Sequence, residues 1–291
     1  MRANRPSFTS SLVALMRAIA DLGVTRVRNF EDPVAKHLLP PLSTTILAAI
    51  SAFVGDDPKR KRAFWRATGG GVDLVALRAA AIDAAWHEAY VSGVRQFVIV
   101  GAGLDGRAWR LKNLKDVRFW ELDHPATQAY KRGRAGAIPH VAKELTFVVV
   151  DLGRDDLPAT LASAGFDAAE PVFWVWEGVI PYLPMTLTAA LLRTLAQVSA
   201  SGSVLAATYI PPAAEKKRGL SMLSGLHQTF SSLGEPFIGL LTPEIMSLYA
   251  ADAGWHILSD TQALDWAAVH ADRAPHLRHD VLERLMVLAK P

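Results

Sequence analysis

The sequence predicts an α/β protein built on a doubly wound, mostly parallel sheet, and three observations predict it. Short apolar runs alternate with helical patterns from residue 95 to about residue 210. The first run opens into a glycine-rich turn, "VIVGAGLDGR". The next three each end in an acid, in "FWELDHP", "VVVDL" and "FWVWEGV".

The first 94 residues, by contrast, read as helical. Thr9, Ser10 and Ser11 offer caps for a helix through about Leu22, and Ser43 or Thr44 for another through Val54. The basic run Lys59-Arg60-Lys61-Arg62 follows Pro58 and reads as a solvated helix start. A long helix runs from Val72 to about Ser92 and closes at Gly93. Strands are expected at Phe97–Val100, Val117–Leu122, Thr146–Val150, Val172–Trp176 and Ser203–Tyr209. Helices over Pro125–Arg132 and Pro184–Ser199 fall between them. Residues 211–241 break the alternation and are too long for a plain connection, so they read as a lid. Thr242-Pro243-Glu244 starts a helix that Gly254 ends, and two short strands follow near His256–Ser259 and Arg284–Ala289. The whole chain, 1–291, is one expected domain: a helical cover over 1–94, a core sheet over 95–210, the lid, and the rest of the core over 242–291.

Bulk properties narrow the function. A composition 51% hydrophobic and 20% charged is that of a globular protein, and a net charge of +3 gives no reason to expect nucleic acid. No cysteine is present, which excludes disulfides and thiolate chemistry, and no metal site is expected. No apolar stretch is long enough to span a membrane, and Arg17 interrupts the N-terminal apolar stretch where a signal peptide would need continuity. A cytoplasmic protein with a small-molecule partner and no membrane partner is the expectation; the oligomeric state is left open.

Gly101, Gly103 and Gly106 match G-x-G-x-x-G, and Asp123 lies 22 residues after Gly101, where a dinucleotide fold places its ribose acid. An NAD(P)-dependent oxidoreductase is therefore one reading, and a cofactor-binding protein without catalysis is another. The acids weigh against a dinucleotide. Asp123, Asp151 and Glu177 end successive strands, at the edge where open α/β sheets bind ligands. Two carboxylates beyond the ribose acid would repel a pyrophosphate. A cofactor carrying a sulfonium and an ammonium, S-adenosylmethionine, suits them better.

The segments "VIVGAGLDGRAWRL", "FWELDHPATQAYKR", "VVVDL" and "FWVWEGVIPYLP" resemble the leucine carboxyl methyltransferase family. They are closest to its bacterial branch of S-adenosylmethionine-dependent O-methyltransferases, which includes polyketide-tailoring enzymes. "PSFTSSLVALMRAI", "FEDPVAKHLLP" and "ALRAAAID" extend the resemblance upstream. It implies a Rossmann-like methyltransferase sheet of seven strands with the last antiparallel. It implies that Gly101, Ala102 and Gly103 pass under the methionine part of the cofactor and that Asp123 holds the ribose. It also implies that Asp151 and Leu152 frame the adenine, that Glu177 lies near the ammonium and that Arg78 clamps the carboxylate. Gly106 departs from the family, which usually has threonine there; Ala79 and Pro181 depart as well. Asp105 and Arg107 read as a structural ion pair. The acceptor, a carboxylate or a phenol, falls to Tyr182, Tyr209 and His227 as candidate contacts. His124 and His227 are candidate bases, but caps and surface positions explain histidines equally well, and no catalytic base is assigned.

Overall fold

The computed structural model describes residues 7–68, 70–136, 138–212, 236–272 and 283–291. Five helices precede the sheet: α1 Phe8–Asp21, α2 Ala35–Leu38, α3 Pro41–Val54, α4 Pro58–Ala67 and α5 Gly71–Val91. The sheet region then runs β1 Gln96–Val100, α6 Arg107–Arg110, β2 Arg118–Asp123, α7 Pro125–Ala135, β3 Glu144–Val149 and α8 Leu157–Ser163. It continues through β4 Val172–Trp176, α9 Met185–Gln197 and β5 Val204–Tyr209. The remaining described elements are α10 Pro243–Asp252, β6 His256–Gln262, α11 Ala263–His270 and β7 Arg284–Ala289.

The strands form one seven-stranded sheet in the order β3-β2-β1-β4-β5-β7-β6. β1 to β5 are parallel, and β7 runs antiparallel to both β5 and β6. Strand order reverses between β1 and β4, which opens a crevice at their carboxyl ends. Strands buried on both faces must be apolar throughout, and β1 and β4 are buried at every position. On one face Val98, Trp120, Trp174, Trp176 and Leu205 pack under α8, α9 and α10. On the other, Phe97, Phe119, Phe173 and Val175 pack under α5 and the cover helices, with Phe97 stacked on Phe119 at 4.5 Å.

Local signals differ from the expectations in a few places. α1 is capped by Ser7, whose hydroxyl accepts from the Ser10 amide at 3.0 Å, so Thr9 to Ser11 lie inside the helix. α3 starts at Pro41, a proline at its first turn, ahead of Ser43 and Thr44. The basic run is the first turn of α4, capped by Asp57. α11 was not foreseen: its eight residues follow β6 directly, without a breaker between strand and helix. Buried Asp73 ties the cover together, accepting from Trp65 Nε1 at 2.7 Å, Thr25 Oγ1 at 2.7 Å and the Arg26 amide at 2.9 Å. The lid expected over 211–241 lies outside the described residues except at 211–212 and 236–241. There, the Ile238 and Gly239 amides donate to the Pro181 carbonyl at 2.8 and 3.0 Å, against the turn that follows β4. No helix among the described residues is long and apolar enough to cross a membrane.

Candidate active site

The glycine turn follows from β1 being pulled against β2. The Gly101 and Ala102 amides both donate to the Leu122 carbonyl, at 2.8 and 2.9 Å, and this bends the chain through positive φ at Gly101 and Gly103. A Cβ on Gly101 would sit 2.5 Å from Val179 Cγ2, so the backbone passes flush against the loop after β4. Gly106 is different. Its φ is ordinary, but a Cβ there would meet Asp32 Oδ1 at 2.8 Å. The third glycine makes room for a carboxylate of the cover, which explains a position where the family usually has threonine.

The three strand-end acids do come to one edge, but they are held differently. Asp123 ends β2; its Oδ2 accepts from the Gly103 amide at 2.5 Å and its Oδ1 from the His124 amide at 2.6 Å. Burial pushes its carboxyl up, and those two amides oppose the shift. Asp151 lies two residues past β3, where its Oδ1 accepts from the Gly153 amide at 3.0 Å as a turn residue, with Arg154 3.8 Å away. Leu152 beside it is half-buried against the α8–α10 face.

Glu177, directly after β4, is gripped from both sides. Arg78 Nε donates to Oε1 at 2.7 Å, and Arg107 Nη1 donates to Oε2 at 2.8 Å. Burial alone would push this carboxyl up; the Arg78 and Arg107 guanidiniums overcome it and hold it well below the usual range. Arg78 also donates from Nη1 to both oxygens of Glu283 at 2.9 Å. The expected Asp105–Arg107 pair forms, and it belongs to a closed ring. Arg107 reaches Asp83 at 2.7 Å, Asp83 meets Arg110 at 2.6 Å, and Arg110 meets Asp32 at 3.6 Å. Asp32 lies 3.5 Å from Arg17, and Arg17 returns to Asp105 at 3.8 Å. Arg17 donates in addition to the Leu104 carbonyl in the glycine turn.

Beneath Asp123 lies a second buried pair that sequence reasoning missed. Glu121, two residues back on the same face of β2, sits 2.6 Å from Lys131 of α7. Both side chains are 1% exposed, and the ammonium also lies 5.3 Å over the Trp109 ring. Burial pushes Glu121 up to about 7 in spite of Lys131.

The remaining expected residues scatter. Tyr182 donates its hydroxyl to Thr9 Oγ1 at 3.1 Å and packs edge-on to Phe237 at 5.2 Å, linking the turn after β4 to α1. Tyr209 is fully buried and donates to Asp260 Oδ2 at 2.7 Å, with Arg284 on the other Asp260 oxygen at 2.9 Å. That cluster joins β5, β6 and β7, and it raises the phenol well above its usual range, by burial first and by Asp260 second. His124 caps α7, its Nδ1 accepting from the Ala126 amide at 3.4 Å. His227 lies outside the described residues.

Four arginines and five carboxylates make up the ring with Glu177 and Glu283, leaving one net negative charge at the edge where the Asp123 carboxyl also lies. An anionic edge repels a pyrophosphate and fits a ligand carrying sulfonium and ammonium charge. The residues therefore fit S-adenosylmethionine in both charge and donor chemistry.

Comparison with known proteins decides the family. Residues 10–196 match the model of the leucine carboxyl methyltransferase family. The chain belongs to that family. A relative from Mycolicibacterium gilvum, provisionally named an S-adenosyl-L-methionine-dependent methyltransferase, is 34% identical over 88% of this chain and 83% of its own length. One from Mycolicibacterium smegmatis with the same provisional name is 36% identical over 72% of this chain and 68% of its own. A DUF574 family protein from Streptomyces avermitilis shares the fold at a TM-score of 0.58 and 15% identity, covering 99% of both chains. A structure from Thermobifida fusca does so at 0.56 and 15%, covering 99% of this chain and 96% of its own. As a member of this methyltransferase family, the leucine carboxyl methyltransferase-like chain is an S-adenosylmethionine-dependent enzyme, and the nicotinamide reading of its glycines falls.

Proposed function

We propose that the protein methylates an oxygen of a small-molecule carboxylate or phenol, as a cytoplasmic enzyme of secondary metabolism. The observation that carries the choice of oxygen is how the titratable groups at the strand-end edge are occupied. Glu177 is kept ionised between two arginines, Asp123 is engaged by two backbone amides, and His124 caps a helix. With Glu177 held between arginines and His124 spent as a helix cap, neither is placed as a free general base, which favours an acceptor that arrives already anionic. A carboxylate is ionised at neutral pH, whereas a phenol has a pKa of about 10 and gains from a base.

When bound, S-adenosylmethionine supplies a methyl group activated by its sulfonium. The chain's own residues bind and orient. In this reading Asp123 takes the ribose hydroxyls, and Gly101, Ala102 and Gly103 give the flush surface beneath the methionine part. Asp151 and Leu152 frame the adenine, Glu177 faces the ammonium, and Arg78 offers its remaining guanidinium N–H groups to the carboxylate. Tyr182, tied to α1, and the 236–241 segment on the turn after β4 form the wall on the acceptor side and keep water out.

A labelled-methyl transfer screen over carboxylic acids and phenols tests the reading. Carboxylates should give the faster transfer, with a rate independent of pH above about 6, since a carboxyl of pKa near 4 is ionised there. Transfer confined to amines or thiols would sink the proposal of oxygen methylation.

A further inference from the structure

Helix α3 is unusual for a helix of the cover. Only Leu47 and Val54 of its fourteen residues are buried, although nothing in "PLSTTILAAISAFV" is charged. Leu42 is 74% exposed, Ile46 41% and Phe53 55%. With Ala49, which is also exposed, they fall at i, i+4, i+7 and i+11, one stripe along a single face of the helix. Scattered exposed apolar residues are ordinary, but a continuous stripe of them is not.

Helix α4 supplies the complementary half. Its Trp65 is buried and anchored to Asp73, which turns the opposite side outward. Lys59, Arg62 and Arg66, all exposed and at i, i+3 and i+7, lie along one flank of α4, about a quarter-turn from Trp65. Arg60 joins the two helices, its Nη1 donating to the Phe53 carbonyl at 3.3 Å. From Ala35 to Ala67 the chain holds six Lys and Arg against Asp56 and Asp57, a net +4, where the whole protein is only +3. This stretch is therefore far more basic than the chain average.

We propose that the α3–α4 pair docks the protein onto the surface of an anionic phospholipid bilayer. An apolar stripe with basic flanks inserts among acyl chains while its cations meet the headgroup charge. A bilayer is favoured over a protein partner by chemistry: the uncharged, exposed side chains of α3 beside the Lys and Arg residues of α4 match acyl chains beneath anionic headgroups. The expectation of no membrane partner rested on the absence of a span, and surface docking requires none. α3 packs on α1, and α1 places Ser10 against Gly103, where an added Cβ would lie 3.1 Å from Ser10 Cβ. The docking face is thus one helix removed from the glycine turn.

Vesicle sedimentation of the full chain tests this, with phosphatidylcholine alone and with phosphatidylcholine mixed with phosphatidylglycerol. The mixed vesicles should carry the protein down, and pure phosphatidylcholine should bind it at least about tenfold more weakly, with the difference shrinking as salt is added. The triple variant Leu42→Ser, Ile46→Ser, Phe53→Ser should lose sedimentation, and so should Lys59→Glu, Arg62→Glu, Arg66→Glu. Both should keep the wild-type melting temperature, because every changed side chain is exposed. No binding to the mixed vesicles, or unchanged binding by both variants, overturns the proposal. So does self-association of the wild type that the serine variant abolishes, which would assign the stripe to a second copy.

Discussion

The two faces of the sheet bury very different things. Under α8, α9 and α10 the interior is aliphatic and aromatic, and its buried polar groups are neutral, such as Gln96, which donates to the Asp167 carbonyl at 2.8 Å, and Ser199, bonded to Trp174 Nε1 at 2.8 Å. Under α1, α5 and α7 the interior holds Arg17, Asp32, Arg78, Asp105, Arg107, Glu121 and Lys131, all under a tenth exposed. Buried ion pairs are weak contributors to stability, because desolvation consumes most of the Coulombic gain. A face built from them holds shape and charge in place for a ligand. Both faces carry apolar cores, and among the described residues only this one adds a buried ion-pair network.

Two substitutions of similar cost separate the roles. Arg107→Leu strands three carboxylates and should destabilise by about 3–5 kcal/mol, as breaking buried pairs does. Trp174→Ala should cost about 3–5 kcal/mol through lost packing. Measured on the folded fraction, binding of S-adenosylhomocysteine by calorimetry should collapse only in the arginine variant. Equal loss in both would erase the division between the faces.

A smaller effect sharpens it. Asp123→Ala removes charge-assisted acceptors worth about 1.5–3 kcal/mol each and should weaken cofactor binding at least about tenfold. Because Asp123 also orders Gly103 and His124, Asp123→Asn is the control: it keeps an acceptor and should lose less. Identical affinities in all three proteins would remove Asp123 from the ribose.

The smallest expected effect is a slope. Glu121 has a folded pKa near 7 against an ordinary value of 4.5. Its protonated form is therefore favoured by folding, and that contribution, complete below pH 4.5, is lost as pH rises through 7. Glu121→Gln imitates the protonated form at every pH. The melting temperature of the variant relative to wild type should rise between pH 5 and pH 8, whatever the constant offset between them. A flat difference would mean that Lys131 fully compensates the buried carboxylate.

What was legible in the sequence follows the same division. The strand ends at Trp176 and Ala289 were readable because buried strands are uninterrupted apolar runs, and the glycine turn because positive φ selects glycine. The three strand-end acids were readable because a strand's end fixes where its next residue goes. The partners of those acids were not. Arg78 and Glu283 lie 205 residues apart, and Arg107 and Glu177 lie 70 apart; no local pattern joins them. Lys131 and Glu121 each look like a solvated helix or strand residue until α7 is laid against β2. Gly106 misled for a related reason, since the group it accommodates, Asp32, comes from the cover.

The position of β7 carries one more consequence, for the order in which a ribosome could deliver this fold. Arg284–Ala289 lies between β5 and β6, so β6 has no neighbour to pair with until residues later than itself have been synthesised. Until then the nascent chain presents β5 as an open edge, the kind of surface that recruits other strands. Glu283, the second carboxylate on Arg78, arrives with the same strand. Closing the sheet and giving Arg78 its second carboxylate are therefore one late event in the life of the chain.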